Sequence, residues 1–289
     1  MALTARVEEW RRSGEERTLR GRRIFVRERL GEGTPLLFLH GFPSSSYDWH
    51  RLLPLLGDRP TTCFDFLGFG LSEKPRDLDY TLAAQADIAE ELAGGRRMYV
   101  VAHDMGTSVA TELFARDLAG ELSFEIAGAL LFNGSILIER AKPTLGQKLL
   151  RSPLGGAFAR LSSARFFRAQ LGQVFSSGHP LSADEAADQW SLWSHLGGNR
   201  IGHRLMSYMD ERVRHAERWN GAFRDWPGDL RLAWGLEDPV ARVAVLEGLR
   251  ELRPGVPVTE LPELGHYPQI ESPERMAEVV QAACAEACD

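Results

Sequence analysis

Met98-Tyr99-Val100-Val101-Ala102-His103-Asp104-Met105-Gly106 is the stretch on which the fold turns. Apolar residues from Met98 to Ala102 run straight into a tight turn, and a helical pattern takes over from about Thr107. A strand that bends sharply into a helix, with one polar side chain at the bend, has the shape of a nucleophile elbow, usually Gly-x-Ser-x-Gly. Here the bend carries Asp104, with Ala102 and Gly106 as the small flanking residues. Small flanks are needed because the bend brings neighbouring backbones close together. Taken alone, the stretch also reads as a surface turn whose aspartate caps a helix.

The chain on either side sets the context. Residues 17–30 read as two short strands around Gly21. Compact apolar runs follow at 36–39, 61–66, 98–102, 126–132, 230–234 and 256–261, each ending in turn residues. Helical stretches lie between most of them, at 81–93, 107–118, 241–253 and 272–287. Short buried strands alternating with helices predict an α/β fold with a mostly parallel, eight-stranded sheet covered on both faces. In such sheets chemistry gathers at the carboxyl ends of the strands. Residues 136–222 break the alternation: apolar residues recur there at helical spacing, as in Trp190, Trp193 and Leu196. This predicts a helical cap inserted after about the sixth strand, over a core made of 1–135 and 223–289.

Three further strand ends complete a constellation. His40-Gly41-Phe42-Pro43 follows the strand at 36–39, where such a fold donates a backbone N–H to an anion beside the N–H of the residue after the nucleophile. The amides of Phe42 and Met105 are therefore the expected oxyanion hole. Asp238 ends one strand in Trp-Gly-Leu-Glu-Asp-Pro, and His266 ends the next in Leu-Gly-His-Tyr-Pro. The chain order nucleophile, acid, histidine is that of the α/β-hydrolases.

With these four positions in order, the sequence resembles the epoxide hydrolase and haloalkane dehalogenase group of the α/β-hydrolases over roughly residues 30–285. The likeness to mesoderm-specific transcript proteins, which are epoxide-hydrolase-like, rests on HGFPSSSYDW at 40–49, DFLGFGLSEKP at 65–75, the segment Tyr208 to Trp219, and His266 to Ile270.

An aspartate in the elbow has a chemical meaning. A carboxylate attacking an ester gives only an anhydride, whereas attack on a saturated carbon gives an alkyl ester that a histidine-activated water can hydrolyse. Asp104 thus points to epoxides or alkyl halides, with His266 as base and Asp238 orienting it. The resemblance implies which. Dehalogenases of the group carry a tryptophan N–H donor directly after the nucleophile, and Met105 has none. Epoxide hydrolases use cap tyrosines, and Tyr208 matches that position. They commonly use two; no second tyrosine stands in the insertion, and His195 or His203 is the expected substitute. His40, Trp190, Trp193 and Phe132 complete the expected binding pocket, which favours a hydrophobic substrate. The expected activity is a cofactor-free epoxide hydrolase with no metal. The alternatives are a haloalkane dehalogenase, a promiscuous esterase, or a non-catalytic binding protein on a hydrolase scaffold.

Composition narrows the partners. The 289 residues carry a net charge of −6, which argues against nucleic acid. No apolar run approaches the length of a membrane helix, and residues 1–20 lack the apolar core of a signal peptide. The three cysteines, Cys63, Cys284 and Cys288, form no disulfide framework, so a reducing cytoplasm is expected. A small hydrophobic epoxide is the expected partner, and a homodimer stays open.

Overall fold

The computed structural model describes residues 2–285; Cys288 and the end of the helix expected over 272–287 lie outside the described residues. The strands are β1 (Glu15–Leu19), β2 (Arg22–Arg29), β3 (Leu36–Leu39), β4 (Thr61–Phe64), β5 (Arg97–His103), β6 (Glu125–Phe132), β7 (Leu230–Gly235) and β8 (Val258–Leu261). They form one eight-stranded sheet in the order β1-β2-β4-β3-β5-β6-β7-β8. β2 runs antiparallel to both β1 and β4, and every other pair is parallel. This is the α/β architecture that the alternating pattern predicts.

Helix α1 (Ala5–Arg12) precedes the sheet, α2 (Leu82–Ala93) lies between β4 and β5, and α3 (Met105–Leu118) follows β5 directly. Between β6 and β7 come α4 (Leu145–Arg151), α5 (Gly155–Leu161), α6 (Ala164–Gly172), α7 (Ala183–Ser194), α8 (Gly202–Leu205), α9 (Ser207–Arg214) and α10 (Ala216–Asp225). α11 (Val243–Leu252) connects β7 to β8, and α12 (Pro268–Glu271) and α13 (Pro273–Cys284) close the described chain.

Strand alternation sorts the core into two halves, because successive side chains point to opposite faces. Leu37, Leu39, Val100, Ala102, Ala129 and Leu131 face α2, α3 and α11. Leu36, Phe38, Tyr99, Val101, Leu130 and Phe132 face α1 and α13. Both faces are apolar because both are covered, which is why these strands read as continuous apolar runs. The side chains of Cys63 and Cys284 are buried in the second half.

Polar side chains tie the insertion down at each end. Asp188 on α7 accepts hydrogen bonds from Thr4 and Arg6 beside α1 and, at 2.9 Å, from the Tyr47 hydroxyl. At the other end Glu112 on α3 accepts from Trp219 Nε1 at 2.8 Å and from Arg218 on α10. Among the described residues no helix is long and apolar enough to cross a membrane.

The helix after β5 starts at Met105, two residues earlier than the pattern suggests, because Asp104 is its N-cap. It packs on β3 so closely that a Cβ on Gly106 would lie 2.3 Å from the Leu39 carbonyl oxygen and 2.8 Å from that of His40. Backbone cannot yield as a flexible side chain would. Gly106→Ala is therefore expected to cost about 1–3 kcal/mol through overpacking, read as a lower denaturant midpoint. An unchanged midpoint would mean that α3 can back away from β3 freely.

Candidate active site

Asp104 sits between β5 and α3 at φ 45° and ψ −111°, in the left-handed half of backbone space that an aspartate adopts only under constraint. The bend lifts its side chain out of the sheet toward the loop after β3. That loop comes close enough that a Cβ on Gly41 would stand 2.6 Å from Asp104 Cβ, so glycine is required there. The Phe42 amide then donates to Asp104 Oδ2 at 2.8 Å. Met105, the first residue of α3, presents an N–H that has no partner within the helix. Both expected oxyanion amides thus flank the aspartate.

His40 sets the Phe42 amide rather than facing a ligand. It is fully buried, its Nε2 accepts from the Phe66 N–H at 2.9 Å, and its Nδ1 donates to the Gly41 carbonyl at 2.9 Å. Burial pushes the imidazole down to about 3, so the ring is neutral and can accept on one side and donate on the other. Asp65 braces the same loop by accepting from the Ser46 N–H at 2.8 Å and from the Leu71 N–H at 2.6 Å.

The loop after β7 supplies Asp238 and the loop after β8 supplies His266, joined by an Nδ1···Oδ2 hydrogen bond of 2.7 Å. Asp238 Oδ1 also accepts from the amides of Val240 and Ala241, and Oδ2 from Asn133 Nδ2 at 2.8 Å. Asn133 ends β6 at φ 45°, and its own Oδ1 takes the Gly235 N–H at 3.0 Å. Burial pulls the His266 imidazole down. The charge of Asp238, its hydrogen bond, and the charges of Asp104 and Glu271 outweigh burial and raise it to about 9.

His103, one residue before Asp104, connects the elbow to the histidine loop. Its Nε2 donates to the His266 carbonyl at 2.7 Å, and its Nδ1 accepts from Gln269 Nε2 at 3.2 Å. Burial, followed by the neighbouring His266, drives it down to about 4, which keeps it neutral for this bridging role.

The insertion closes the site from above. Trp193 on α7 meets the Phe42 ring edge-on at 5.5 Å, and Tyr208 on α9 lies 5.8 Å from it. A cavity opens between insertion and sheet, bordered by Phe42, Phe167, Leu171, Val174, Trp193, His266 and Tyr267. A second, smaller cavity joins Asp104 to Tyr208, Ser135, Gln147 and Arg212. Gln147 Nε2 donates to the Tyr208 hydroxyl oxygen at 3.3 Å, while Gln147 Oε1 is held by the Thr144 N–H at 2.8 Å. The Tyr208 oxygen is thus an acceptor toward Gln147, and its own proton can be given elsewhere.

Several pocket expectations need correction. Phe132 has the strand parity that turns it toward α13, where it packs on Trp49 and His103 and is fully buried. Trp190 packs against Phe167 at 5.5 Å, behind the cavity wall that Trp193 forms directly. His195 ends α7 on the side of α1 and borders a separate cleft with Arg11, Glu15 and Glu16. His203 faces Gly155 and Gly156 of α5, at a groove bordered by Asp79, Arg151 and Arg204. Neither histidine borders the cavity that holds Asp104.

The structure also brings in residues that motif reading passed over: Asn133, His103, Gln147 and Arg212. Asn133 carried a signal, since an Asn-Gly pair closing a strand marks a positive-φ position. Arg212 carried another, as it stands four residues after Tyr208 and so shares its helix face. Nothing local marks Gln147. Among the described residues no group of three or more His, Cys, Asp or Glu could hold a metal ion.

A sequence model of the alpha/beta hydrolase family matches residues 36–279. The protein named "Putative hydrolase LipZ" of Mycobacterium tuberculosis is 52% identical over 275 residues, covering 94% of this chain and 96% of that one. The mesoderm-specific transcript homolog protein of Bos taurus is 34% identical over 291 residues, covering 94% of this chain and 85% of that one. Haloalkane dehalogenase DatA of Agrobacterium tumefaciens superposes with a TM-score of 0.77 over 95% of this chain and 96% of that one; at 19% identity it shares the fold alone.

The link between Asp238 and His266 has a measurable signature. In the intact protein the His266 ring is expected to titrate near pH 9 by NMR. In Asp238→Asn the largest raising influence is gone and burial prevails, so the titration should move down, below the ordinary histidine value of about 6.5. A titration that stays near 9 in the variant would break the assignment of Asp238 as its partner.

Proposed function

The chain belongs to the alpha/beta hydrolase family, and within that fold we propose that it opens an epoxide to a diol through an ester formed on Asp104. The observation that carries this reading is the pairing of a carboxylate in the elbow with the Tyr208 hydroxyl at the same cavity, its proton left available by the Gln147 contact. Asp104 Oδ2 rests on the Phe42 amide, so Oδ1 is the oxygen that attacks. It bonds to one ring carbon, that carbon's bond to the ring oxygen breaks, and the oxygen takes the Tyr208 proton. Burial, reinforced by Asp104, raises the Tyr208 phenol, which keeps it protonated until an alkoxide develops.

The second half hydrolyses the ester. His266 takes a proton from water, the hydroxide adds to the ester carbonyl, and the amides of Phe42 and Met105 receive the oxyanion. As it collapses the bond from the acyl carbon to the ester oxygen breaks, and that oxygen takes the carboxyl proton, which releases the diol and restores the Asp104 carboxylate. The proton on His266 returns through solvent to the Tyr208 oxygen, so the balance is one epoxide and one water to one diol. At about 9 the imidazole is protonated near neutral pH in the resting protein. Forming the ester removes the charge on Asp104, one of the influences that raise it, so the base is released once the ester exists.

Residues 136–222 act in this reading as a cap over the core formed by 1–135 and 223–289. The large apolar cavity suits a small hydrophobic epoxide, with no cofactor, nucleic acid or membrane required. The buried free thiol of Cys63 suits a reducing cytoplasm.

The test is a screen of aryl and alkyl epoxides beside haloalkanes, with products identified. Diol is expected from epoxides; halide release without diol would move the assignment to a dehalogenase. His266→Ala is expected to accumulate one substrate mass on the peptide holding Asp104, seen by intact-protein mass spectrometry, and a variant that binds substrate but never gains mass would sink the two-step scheme. In the unaltered protein the single-turnover rate of ester hydrolysis should climb with pH to a plateau, with its midpoint below the resting His266 value of about 9. Tyr208→Phe should slow alkylation by about 10²-fold and leave ester hydrolysis nearly unchanged. Equal slowing of both steps would make the tyrosine structural.

A further inference from the structure

The ring-opening step places a full negative charge on an oxygen in a closed, apolar surrounding, and one phenol is a sparse reception for it. Neither expected histidine reaches the cavity that holds Asp104, but a cation does. Arg212 on α9 is buried, and its Nη2 lies 3.8 Å from Asp104 Oδ1, the oxygen assigned to attack. Its Nε donates to Ser108 Oγ at 2.8 Å and its Nη2 to the Asp104 carbonyl at 3.2 Å, so the guanidinium plane is pinned from two sides. The Arg212 Cζ also stands 4.7 Å over the centre of the Tyr208 ring. One further group points to a ligand there: Ser135 borders the same cavity and is 2% exposed, and its hydroxyl has no hydrogen-bond partner among the described residues.

We propose that the Arg212 guanidinium is the second donor to the oxygen released from the epoxide, working beside the Tyr208 hydroxyl, in the place where a second tyrosine or a histidine is expected; this rests on the Asp104 ester reading. The charge bookkeeping favours it. Before reaction Arg212 is balanced by the Asp104 carboxylate. As Oδ1 bonds to carbon that negative charge disappears, and an equal charge grows on the departing oxygen in the same cavity. The cation therefore loses its ground-state partner at the moment the oxyanion appears, so its stabilisation is concentrated in the transition state. The guanidinium does not surrender a proton; the proton still comes from Tyr208. Once Tyr208 has given it up, the cation over the ring favours the phenolate that remains. The orphaned Ser135 hydroxyl offers one more hydrogen bond to the same oxygen.

The experiment measures adduct formation on Asp104 in the His266→Ala background, by intact-protein mass spectrometry with styrene oxide and 1,2-epoxyhexane. It compares Arg212→Gln, Arg212→Lys and Ser108→Ala, each checked for a cooperative melt, and follows ester hydrolysis separately with His266 in place. Arg212→Gln should slow alkylation by about 10²-fold, Arg212→Lys should recover at least about tenfold of that loss, and hydrolysis should change far less than alkylation in both. Ser108→Ala leaves the charge but unpins it, and should slow alkylation by about three- to tenfold with hydrolysis unchanged. A lysine variant no faster than the glutamine variant, equal slowing of both steps, or a Ser108→Ala protein with unaltered alkylation each overturns the role of Arg212. The Ser108→Ala result decides the matter if the glutamine variant does not fold. A parent that gains no epoxide mass at all overturns the Asp104 reading instead.

Discussion

The hydrogen bond from the Phe42 amide to Asp104 Oδ2 ties the loop after β3 to the bend after β5, at the ends of two paired strands. It exists only because Asp104 is held at positive φ and because Gly41 and Gly106 let three backbones crowd into one place. The strain of order 1–3 kcal/mol in such a residue is sustained by packing on both sides of the sheet. Loosen β3 against β5 and the carboxylate loses both its aim and its backbone donor. Much of the surrounding polar structure can be understood as fixing that contact: His40 neutral between Phe66 and Gly41, and Asp65 bracing the loop behind it.

Three histidines next to one another do three different things, and burial separates them. His40 and His103 are pushed down and stay neutral, so each can donate with one nitrogen and accept with the other. His266 is equally buried yet raised, because Asp238 faces it with a charge that Asn133 and two backbone amides hold in place. The same residue type becomes a brace in two positions and a titrating group in the third. The difference lies in whether a carboxylate stands within hydrogen-bond distance, not in depth.

The insertion couples to this site at few points, and each is specific. Trp193 and Tyr208 meet the Phe42 ring, Arg212 is pinned to the elbow through Ser108, and the Val174 carbonyl accepts the His266 N–H at 2.9 Å. A change in the insertion can therefore reach Asp104 and His266 along separate routes. It also splits the space above the sheet into a large apolar cavity beside His266 and a smaller one beside Asp104.

What could be read from the order of residues was whatever depends on local chain geometry. The strand-turn-helix of 98–118, the acid and histidine at successive strand ends, the eight-stranded α/β sheet and the helical stretch between β6 and β7 all follow from periodicity and turn chemistry, which act over a few residues. The contact of the Phe42 amide with Asp104 belongs to the same strand ends. The lining of the site did not. Phe132 was misplaced because a one-residue change of parity turns a strand side chain to the opposite face, and an all-apolar run gives no alternation from which to read it. His195 and His203 lie within nine residues of each other yet open onto different clefts, because the break at Leu196 and Gly197 redirects the chain between them. Arg212 shares a helix face with Tyr208, but it meets Asp104, 108 residues away, only because α9 folds back over the sheet, and Gln147 meets Tyr208 across 61 residues with no local pattern to mark it. Short-range preference set the scaffold and the order of Asp104, Asp238 and His266 along it; long-range packing of the insertion decided which cation and which amide stand beside Asp104.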